Sequence, residues 1–435
     1  MYVNVIGAGL AGCEAAFQIA ERNIRVRLFE MKPRKMTPAH KSTDFCELIC
    51  SNSLKAARVE SAAGLLKEEM RRMNSLLMQC ADKCTVPAGG ALAVDRDIFS
   101  AMVTKRIRSH PMIDVIEDEV TEIPRDAVTV IATGPLTSDA LADKITELCG
   151  GGLHFFDAAA PIVTAESIDM DNAFTASRYD KGGDDAYINC PMNKEEYEAF
   201  HNELVNAERA PRHDVDVMSP KVYEGCMPVE ILAQRGLDTL RFGPMKPVGL
   251  KDPRTGHRPW AVVQLRTENA GKTMYNLVGF QTNLRFPEQK RVFGMIPALK
   301  NAEYVRYGVM HRNTFLDSPR VLSADYSLKS DRNIFFAGQM TGVEGYMESA
   351  SSGLIAGINA ALRVKNKPPF ILPKETMTGS LAAYISDIAV EDFQPMGANL
   401  GILPALDEHI RDKKLRAAAY AERALDSLKN IPDNR

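Results

Sequence analysis

The chain has 435 residues, of which 45% are hydrophobic and 25% charged, and its formal net charge is −3. This length exceeds that of one compact domain and predicts two domains, or one domain that carries a large insertion. The balanced charge excludes a generally basic nucleic-acid-binding protein, so any contact with nucleic acid has to be local. No apolar run approaches the about 20 residues of a membrane helix and no charged leader precedes the first predicted strand, so we expect a cytoplasmic protein without a membrane partner.

The first 30 residues have the pattern of a dinucleotide-binding unit. A predicted strand, 3–6, runs directly into a glycine motif and a helix rich in small residues, and a second strand ends at Glu30. The glycines allow a sharp turn, a close approach of the backbone to a pyrophosphate, and tight packing of the helix on the sheet. The Glu30 carboxylate can bind ribose hydroxyls. The candidate nucleotide-binding residues are Gly7, Ala8, Gly9, Leu10, Ala11, Gly12 and Glu30.

The next 120 residues predict a loop, two helices and two strands. The segment 31–41 is rich in Lys, Arg and Pro and predicts a loop, and amphipathic patterns predict helices over 65–77 and from Asp95 to 107. Strands are predicted at 113–116 and 128–132. The second of these strands ends at Gly134, and ligands of open α/β sheets bind at such carboxyl ends. Gly134 is therefore a candidate cofactor contact.

The middle of the chain differs in composition and in predicted secondary structure from both ends. Beyond Gly150 the sequence becomes polar and interrupted by prolines, with strands predicted at 260–265 and 274–280 and few long helices. The α/β pattern returns with a strand at 333–337 and a small-residue helix at 349–362, whose N-terminus we expect to face the same nucleotide. This predicts an α/β, Rossmann-like FAD-binding domain of the large flavoprotein type, residues 1–155 and 325–435 with a helical C-terminal tail, and a mixed α+β insertion domain, 156–324. FAD is favoured over NAD because a single nicotinamide domain would not need the late strand and helix.

Two cysteines are candidates for a reactive thiol. Cys50 and Cys226 both lie in polar turn contexts, and a reactive cysteine needs partial exposure and a thiolate. The alternative is that each packs as a small hydrophobic residue. The spacing of Cys46, Cys50, Cys80 and Cys84 also permits a zinc or iron–sulfur site, but the same spacing arises when cysteines share a helix face, and we predict no metal. In the cytoplasm all eight cysteines are expected to be mostly reduced.

Several long segments of the chain closely resemble the folate- and FAD-dependent tRNA (uracil-5-)-methyltransferase family, TrmFO. They are GAGLAG, ELICSNSL, LKEEMR, YEGCMPVE, GFQTNL and NIFFAGQMTGVEGYMESASSGLIAGINAA, and the resemblance runs from Met1 to about Arg363. A larger relative, which installs carboxymethylaminomethyl groups on wobble uridine, is similar only in the first motif and the FFAGQ-type strand.

The resemblance implies methylation of C5 of uridine 54 in the T loop of tRNA. The carbon comes from 5,10-methylenetetrahydrofolate, the electrons come from reduced FAD, and NAD(P)H reduces FAD again. C5 of uracil is a poor nucleophile until a thiolate adds at C6, and a second group must remove the C5 proton. The two functional cysteines of the family fall on Cys226, as nucleophile, and Cys50, in the assisting role, and the order of these two roles stays open.

Further site residues follow from the resemblance. Tyr346 is expected beside the flavin and the pterin, with Asn283 as a weaker candidate for pterin or substrate contact. Gly338, Gln339 and Gly345 are expected along the flavin, and Asp95 and Arg96 near the N-terminal nucleotide site. Basic residues that could hold the tRNA are Lys32, Arg34, Lys35, Lys41, Arg254, His257, Arg258, Arg285, Lys290, Arg291, Arg411, Lys413, Lys414 and Arg416, although any single patch of this kind is more often a solvated face.

Two other functions compete with this one. The first is an FAD-dependent oxidoreductase or thiol–disulfide reductase without methyl transfer, which normally needs two cysteines in one short redox motif. Cys50 and Cys226 are far apart in sequence and give that function less support. The second is a flavin-containing tRNA-binding factor without catalysis.

Overall fold

The structure, a computed structural model, describes residues 1–37, 39–151, 153–158, 160–180, 187–210, 227–268, 271–308, 310–390 and 393–429. Strands and helices alternate through the first 150 residues. They are β1 (Tyr2–Ile6), α1 (Leu10–Ala20), β2 (Arg25–Glu30), β3 (Ser53–Ala56), α2 (Ala62–Arg72), α3 (Leu76–Ala81), β4 (Thr85–Val86), β5 (Ala91–Val94), α4 (Arg96–Arg108), β6 (Ile113–Glu117), β7 (Val128–Ile131) and α5 (Asp139–Cys149).

The middle of the chain is richer in strands. Its elements are β8 (Leu153–Ala158), β9 (Ile162–Thr164), β10 (Phe174–Thr175), β11 (Ile188–Met192), α6 (Lys194–Asn206), α7 (Val229–Ala233), α8 (Thr239–Phe242), β12 (Ala261–Thr267), β13 (Met274–Leu277), α9 (Phe286–Phe293), β14 (Tyr304–Arg306) and β15 (Met310–Phe315). The last part is mainly helical. It comprises α10 (Ser318–Val321), β16 (Ile334–Phe336), α11 (Tyr346–Val364), α12 (Met377–Tyr384) and α13 (Lys413–Lys429).

A parallel five-stranded sheet organises both ends of the chain. Its strand order is β16-β7-β1-β2-β6, so that the late strand β16 pairs with β7 beside the first strand. Val3, Val5 and Val130 are fully buried, because a parallel sheet is covered by helices on both faces. The predicted return of the C-terminal part to the N-terminal unit is confirmed. The segment between β2 and β6 contributes a smaller antiparallel sheet with the strand order β3-β5-β4.

Helices α1 and α11 pack so closely that their backbones are in contact. A Cβ atom added at Gly353 would lie 2.1 Å from the carbonyl oxygen of Ala11, and one at Gly357 would lie 2.6 Å from that of Ala15. Glycine at these two positions lets the helices approach this closely. Since α1 follows β1 and α11 follows β16, the packing brings the N-termini of both helices to one edge of the sheet.

The predicted helix over 65–77 is two helices. The chain breaks after α2, where Asn74 has a φ of 61°, and Ser75 then caps α3 by accepting a hydrogen bond from the Met78 N–H. The buried carboxylate of Glu14 on α1 accepts further bonds from the N–H groups of Leu76 and Leu77. The apolar side chains of both helices still face one core, and this is why the periodicity predicted a single element.

A second sheet has its own hydrophobic core. It is six-stranded and antiparallel wherever its strands pair, with the order β10-β11-β12-β13-β9-β14. Its core includes Phe200, Phe280 and Phe293, which are all fully buried. Helix α6 is longer than the sequence suggested, and a capping box between Asn193 and Glu196 fixes its start.

Two further strands belong to neither of these sheets. β8 and β15 pair with each other as an antiparallel ribbon, with Leu153 opposite Phe315 and Ala158 opposite Met310. Phe315 and Leu316, at the end of the ribbon, pack in the hydrophobic core around the parallel sheet. Within the described ranges, no helix is both long and apolar enough to cross a membrane.

Candidate active site

A cavity of about 430 Å³ lies at the carboxyl edge of the parallel sheet. It extends from the turn after β1 to the segment that carries Cys50. Of the residues predicted from the sequence, its lining includes Gly7, Ala8, Gly9, Leu10, Ala11, Glu30, Cys50, Gly134, Gly338, Gln339, Gly345 and Tyr346. Residues from both ends of the sequence therefore converge on one space.

The turn after β1 is shaped by its glycines. Gly7 has a φ of +96°, and a Cβ atom there would lie 2.7 Å from the carbonyl oxygen of Ala132, so only glycine fits. A Cβ atom at Gly12 would lie 1.8 Å from the carbonyl oxygen of Gly7. At Gly9, by contrast, it would meet no atom of the described chain within 4 Å. Gly9 thus borders the open cavity, whereas Gly7 and Gly12 are needed for packing.

The same turn offers backbone donors to an anion. Gly9 caps α1 without a side-chain hydrogen bond, which leaves the first N–H groups of the helix available to phosphate oxygens. The Glu30 carboxylate, 8% exposed, accepts hydrogen bonds from the N–H groups of Ala8 (2.8 Å) and Lys32 (3.0 Å). These bonds fix its orientation and leave lone pairs for ribose hydroxyls. This end of the cavity therefore fits the diphosphate and ribose of a dinucleotide.

The late strand and helix form the opposite wall. Gly338 and Gly345 have φ values of +85° and +128°, and the N-terminus of α11 after Gly345 has no side-chain cap. Gln339 donates a hydrogen bond to the carboxylate of Glu344 (2.7 Å). The N–H groups at the start of α11 thus form a second set of backbone donors beside the cavity.

Two charged residues of this wall were not predicted from the sequence. Lys55 and Glu348 form an ion pair with 2.6 Å between Nζ and Oε1, and Lys55 also donates to the carbonyl of Glu344. The Glu348 side chain is 1% exposed and lines the cavity. Glu348 lies in the first turn of α11, but the predicted helix began only at residue 349, and this is why it was missed.

Cys50 and Tyr346, 296 positions apart in sequence, meet in the lining of this cavity. The Tyr346 hydroxyl lies 3.0 Å from the Cys50 sulfur and accepts hydrogen bonds from the N–H groups of Cys50 (2.8 Å) and Ser51 (3.3 Å). Because two N–H groups already point at the hydroxyl oxygen, its own proton is directed to the sulfur. Burial, with the neighbouring Cys50, raises the pKa of Tyr346 well above its ordinary value, so the hydroxyl remains a donor at neutral pH.

Two arginines hold the backbone that precedes Cys50. Arg96 donates to the carbonyls of Leu48 (2.8 Å) and Ile49 (3.1 Å). Arg306, from β14 of the second sheet, also donates to the carbonyl of Ile49. Guanidinium groups from both parts of the chain thus fix the residues that precede the thiol.

The residues after Cys50 are held from β12. Arg266 donates to the side chains of Ser51 (2.6 Å) and Asn52 (3.0 Å). Asn52 in turn donates to the carbonyl of Thr267 (2.8 Å). The second sheet therefore contacts both sides of the Cys50 turn.

One carboxylate balances this positive charge. Glu268 is 2% exposed and pairs with Arg96, with 2.5 Å between Oε2 and Nε. Burial raises the pKa of Glu268, and the nearby Arg96, Arg266 and Arg306 oppose that shift. Arg266, Glu268 and Arg306 were missed from the sequence because nothing local connects them to Cys50. The signal for Arg266 and Glu268 was weak, since they are two charged residues at the end of an otherwise apolar strand, and Arg306 lies on the short strand β14.

Besides Gly12, three of the predicted residues are not among those that line the cavity in the described chain. Asp95 caps α4, where its carboxylate accepts from the N–H groups of Asp97 and Ile98, and neither Asp95 nor Arg96 is among the cavity-lining residues of the described chain. Asn283 is buried in the second half of the chain, and its side chain donates to the carbonyl of Ala210 (3.3 Å). Cys226 lies outside the described residues, so its predicted role stays a prediction.

The four cysteines of the alternative metal hypothesis have different partners. Cys84 donates to the carbonyl of Cys80, whereas Cys50 contacts Tyr346. Burial raises the pKa of Cys80 to about 11 and that of Cys84 to about 12, which keeps both as thiols at neutral pH. Across the described ranges, no group of three or more His, Cys, Asp or Glu side chains is arranged to hold a metal ion.

Several of the predicted basic residues are engaged within the chain. Lys32 is 5% exposed and donates to the carbonyls of Ser42 and Asp44, so it serves the fold around the cavity. Arg254 pairs with Asp252 (2.7 Å), and Arg291 pairs with Glu288 (2.8 Å). These three are therefore weaker candidates for phosphate contacts than their charge suggests.

The fold and the cavity define a flavoprotein of the Rossmann-like class. The chain superposes on the structure of Aquifex aeolicus GidA in the form II crystal with a TM-score of 0.72, over 98% of this chain and 73% of that one, at 16% sequence identity. The form I crystal of the same protein gives a TM-score of 0.69. The predicted fold class, a Rossmann-like domain of the large flavoprotein type, is confirmed.

Sequence comparison identifies the family more closely. Residues 2–368 match the family described as Glucose inhibited division protein A. The chain is 62% identical over 429 residues, 98% of each sequence, to the Methylenetetrahydrofolate--tRNA-(uracil-5-)-methyltransferase TrmFO of Acetivibrio thermocellus. It is 59% identical over 430 residues to the protein of the same name from Ligilactobacillus salivarius, with 99% of this chain and 98% of that one covered. The chain therefore belongs to the Glucose inhibited division protein A family and, within it, to TrmFO, which confirms the predicted resemblance.

Proposed function

We propose that this protein transfers a one-carbon unit from 5,10-methylenetetrahydrofolate to C5 of a uracil in tRNA, with FAD as its cofactor. The observation that carries the proposal is the contact between Cys50 and Tyr346 in the lining of a cavity that fits a dinucleotide. A thiol held by a tyrosine hydroxyl, next to a cofactor site, suits proton transfer at a bound pyrimidine. The relatives named above carry this activity in their names and match nearly the whole chain.

The cavity supports FAD as the bound dinucleotide. Its N-terminal end offers the free N–H groups of α1, the open position at Gly9 and the Glu30 carboxylate. Its other end offers the uncapped N-terminus of α11 beside Tyr346. Bound FAD would supply the electrons that reduce the transferred carbon to a methyl group, and we infer that NAD(P)H restores them.

The two thiols divide the remaining chemistry. The Cys226 thiolate adds to C6 of uracil, which moves electron density to C5 so that C5 can form a bond to the electrophilic carbon. The Cys50 thiolate then takes the proton from C5, while Tyr346 donates its hydrogen bond to the sulfur. Loss of that proton breaks the bond between the transferred carbon and the nitrogen that carried it, and leaves a methylene group on C5. Hydride addition to this carbon yields the methyl group, and the bond between C6 and the Cys226 sulfur then breaks, which restores the uracil ring and frees the thiolate. The assignment of Cys226 follows the family, and the position of Cys50 supports its assisting role.

We propose uridine 54 of the T loop as the target and the cytoplasm as the place of action, where tRNA and reduced folates occur together. We also propose that 156–324 forms the inserted domain beside a discontinuous FAD-binding domain, 1–155 and 325–435. The separate hydrophobic core of the second sheet supports this division.

A direct assay tests the activity. The FAD-loaded protein is incubated with an unmodified tRNA transcript, methylenetetrahydrofolate and NADPH, and the nucleosides are analysed by mass spectrometry. We expect 5-methyluridine in the transcript with uridine at position 54, and none when that position is cytidine. Oxidation of NADPH without any methyluridine would instead indicate an FAD-dependent oxidoreductase.

A second assay assigns the thiols. A tRNA that contains 5-fluorouracil traps the protein, because the fluorine at C5 cannot be removed as a proton. We expect Cys226→Ala to abolish the covalent complex and Cys50→Ala to retain it, and Cys149→Ala, a partly buried thiol on α5, serves as the control. The opposite pattern would exchange the two roles.

A further inference from the structure

Three aromatic rings form a ladder in the second half of the chain. The ring of Tyr307 lies between those of Tyr304 and Phe286, with centroid separations of 4.8 Å and 4.7 Å. The interplanar angles are 10° and 15°, so the three rings are nearly parallel. These parallel stacks differ from the edge-to-face contact of Phe280 with Phe293 in the core of the second sheet, where the interplanar angle is 75°.

The outer ring of the ladder is open to solvent. Phe286 is 51% exposed, while Tyr304 and Tyr307 are partly buried. Phe286 begins α9, and the core-facing side chains of that helix, Val292 and Phe293, are fully buried. Phe286 therefore contributes little to the core, and the face of its ring away from Tyr307 is available to another flat molecule.

Hydrogen bonds connect residues next to the ladder to the Cys50 turn and to the described residues on either side of 211–226. Arg306, which precedes Tyr307, donates to the carbonyl of Ile49 beside Cys50. On the other side, the segment before α9 is bonded to the residues that flank 211–226. The N–H of Ala210 donates to Asn283 (2.8 Å), and the N–H of Val229 donates to Gln281 (2.7 Å). A residue next to the ladder therefore contacts the turn that carries Cys50, one thiol of the proposed reaction.

Two cations flank Phe286 along the first turn of α9. Arg285 precedes Phe286, and Lys290, one helical turn further on, is exposed. Arg285 pairs with Glu208 (2.9 Å), but both side chains are more than half exposed, and such surface pairs are weak and easily exchanged. An aromatic face beside exposed cations is the combination that binds unpaired nucleotides.

We propose that the outer face of Phe286 stacks on a nucleobase of the tRNA loop next to the target uracil, and so positions that loop. This inference rests on the proposed function, because it needs an RNA substrate. A purine or pyrimidine continues the ladder at van der Waals distance and needs no particular sequence, since every base has a π face. Phe286 is a positioning residue, and the reacting atoms are contacted by other groups.

The test compares three substitutions at one position. Phe286→Ala removes the ring, Phe286→Leu keeps apolar surface without a π face, and Phe286→Trp keeps an aromatic face. Phe242→Ala, on α8 in the same half of the chain, is the matched control because Phe242 is 82% exposed and belongs to no ladder. For each FAD-loaded protein we measure the Kd for the tRNA transcript, the flavin spectrum, the melting temperature and the KM for methylenetetrahydrofolate.

We expect Phe286→Ala and Phe286→Leu to raise the Kd for tRNA by about fivefold or more, the effect of losing one stacked base. Phe286→Trp and Phe242→Ala should bind as the unsubstituted protein does. The slope of log Kd against log salt should not change, because no charge is removed. A transcript with 2-aminopurine beside the target should show quenched fluorescence on binding to the protein and to Phe286→Trp, but not to Phe286→Ala.

Three results would overturn the inference. They are an unchanged Kd for Phe286→Ala, a Kd for Phe286→Leu equal to that of Phe286→Trp, and a rise in the KM for methylenetetrahydrofolate with no change in tRNA binding. The last would place the folate, and not a base, on the ring. Methyluridine formation by the unsubstituted protein is scored separately, so a failed activity and a failed stacking contact are distinguishable.

Discussion

The two ends of the cavity are built in different ways. The nucleotide end is made of backbone, with glycines that permit close approach and N–H groups that face the open space at Gly9. The thiol end is made of side chains, and its arginines come from both parts of the chain. Backbone sites depend on local sequence, whereas side-chain sites depend on how distant segments meet. Substitutions at the first end should therefore affect folding or cofactor binding, and substitutions at the second should affect turnover.

The largest effect is expected at Gly12. A Cβ atom there would lie 1.8 Å from the carbonyl oxygen of Gly7, and neither backbone can move without disturbing the sheet. We expect Gly12→Ala to destabilise the protein by more than about 3 kcal/mol, the upper range for overpacking, and to yield little soluble protein. Soluble yield and thermal unfolding measure the effect.

Gly9→Ala is the matched variant, since its Cβ meets no described atom within 4 Å. We expect it to fold with an unchanged melting temperature but to lose the flavin absorbance, because the methyl group enters the pyrophosphate site. If Gly9→Ala kept its flavin, the nucleotide would have to lie elsewhere in the cavity.

At the thiol end we expect Cys50→Ala to lower kcat for methyl transfer by about 10²- to 10⁴-fold, the usual range for an acid–base group. The flavin spectrum and the melting temperature should stay close to those of the unsubstituted protein, because Cys50 is only partly buried. Single-turnover formation of methyluridine is the measurement. A variant that retained full activity would remove Cys50 from the mechanism.

Glu268→Ala tests the charge balance behind the thiol. It leaves Arg96 without its counterion in a buried setting, and breaking such a pair costs about 3–5 kcal/mol. We expect lower stability and a lower kcat, with the Kd for FAD unchanged, since Glu268 does not contact the nucleotide end. Glu268→Gln should restore part of the stability by offering its amide oxygen to Arg96. Equal loss of FAD binding and turnover would show that the two ends are not separable.

Tyr346→Phe should have the smallest effect of the four. The ring still lines the cavity, but the N–H groups of Cys50 and Ser51 lose their acceptor, at about 1–3 kcal/mol for the unpaired groups. We expect kcat to fall by roughly tenfold to a hundredfold, with flavin retained. Unchanged kinetics would mean that the hydroxyl does not orient the thiol.

This contrast also explains what could be predicted from the sequence. The turn at Gly7 and the acid at Glu30 follow from spacing within 30 residues, and both line the cavity. Only the family resemblance assigned Cys50 and Tyr346 to one site, since 296 positions separate them in the sequence. Arg266 and Glu268 were missed, because an ion pair between β12 and α4 depends on how two sheets are placed. Asp95 was expected at the nucleotide, but its carboxylate is used to cap a helix.

The arginines around Cys50 have a consequence for how the chain can be divided. Arg266 and Arg306 reach the Cys50 turn from the second sheet and bond to residues immediately before and after the thiol. A fragment that contained only the parallel sheet and its helices would keep the glycine turn and its nucleotide pocket. It would also keep Arg96 and Tyr346, but the Cys50 turn would lose its two arginine contacts from the second sheet, so we expect the thiol to be fully oriented only in the whole chain.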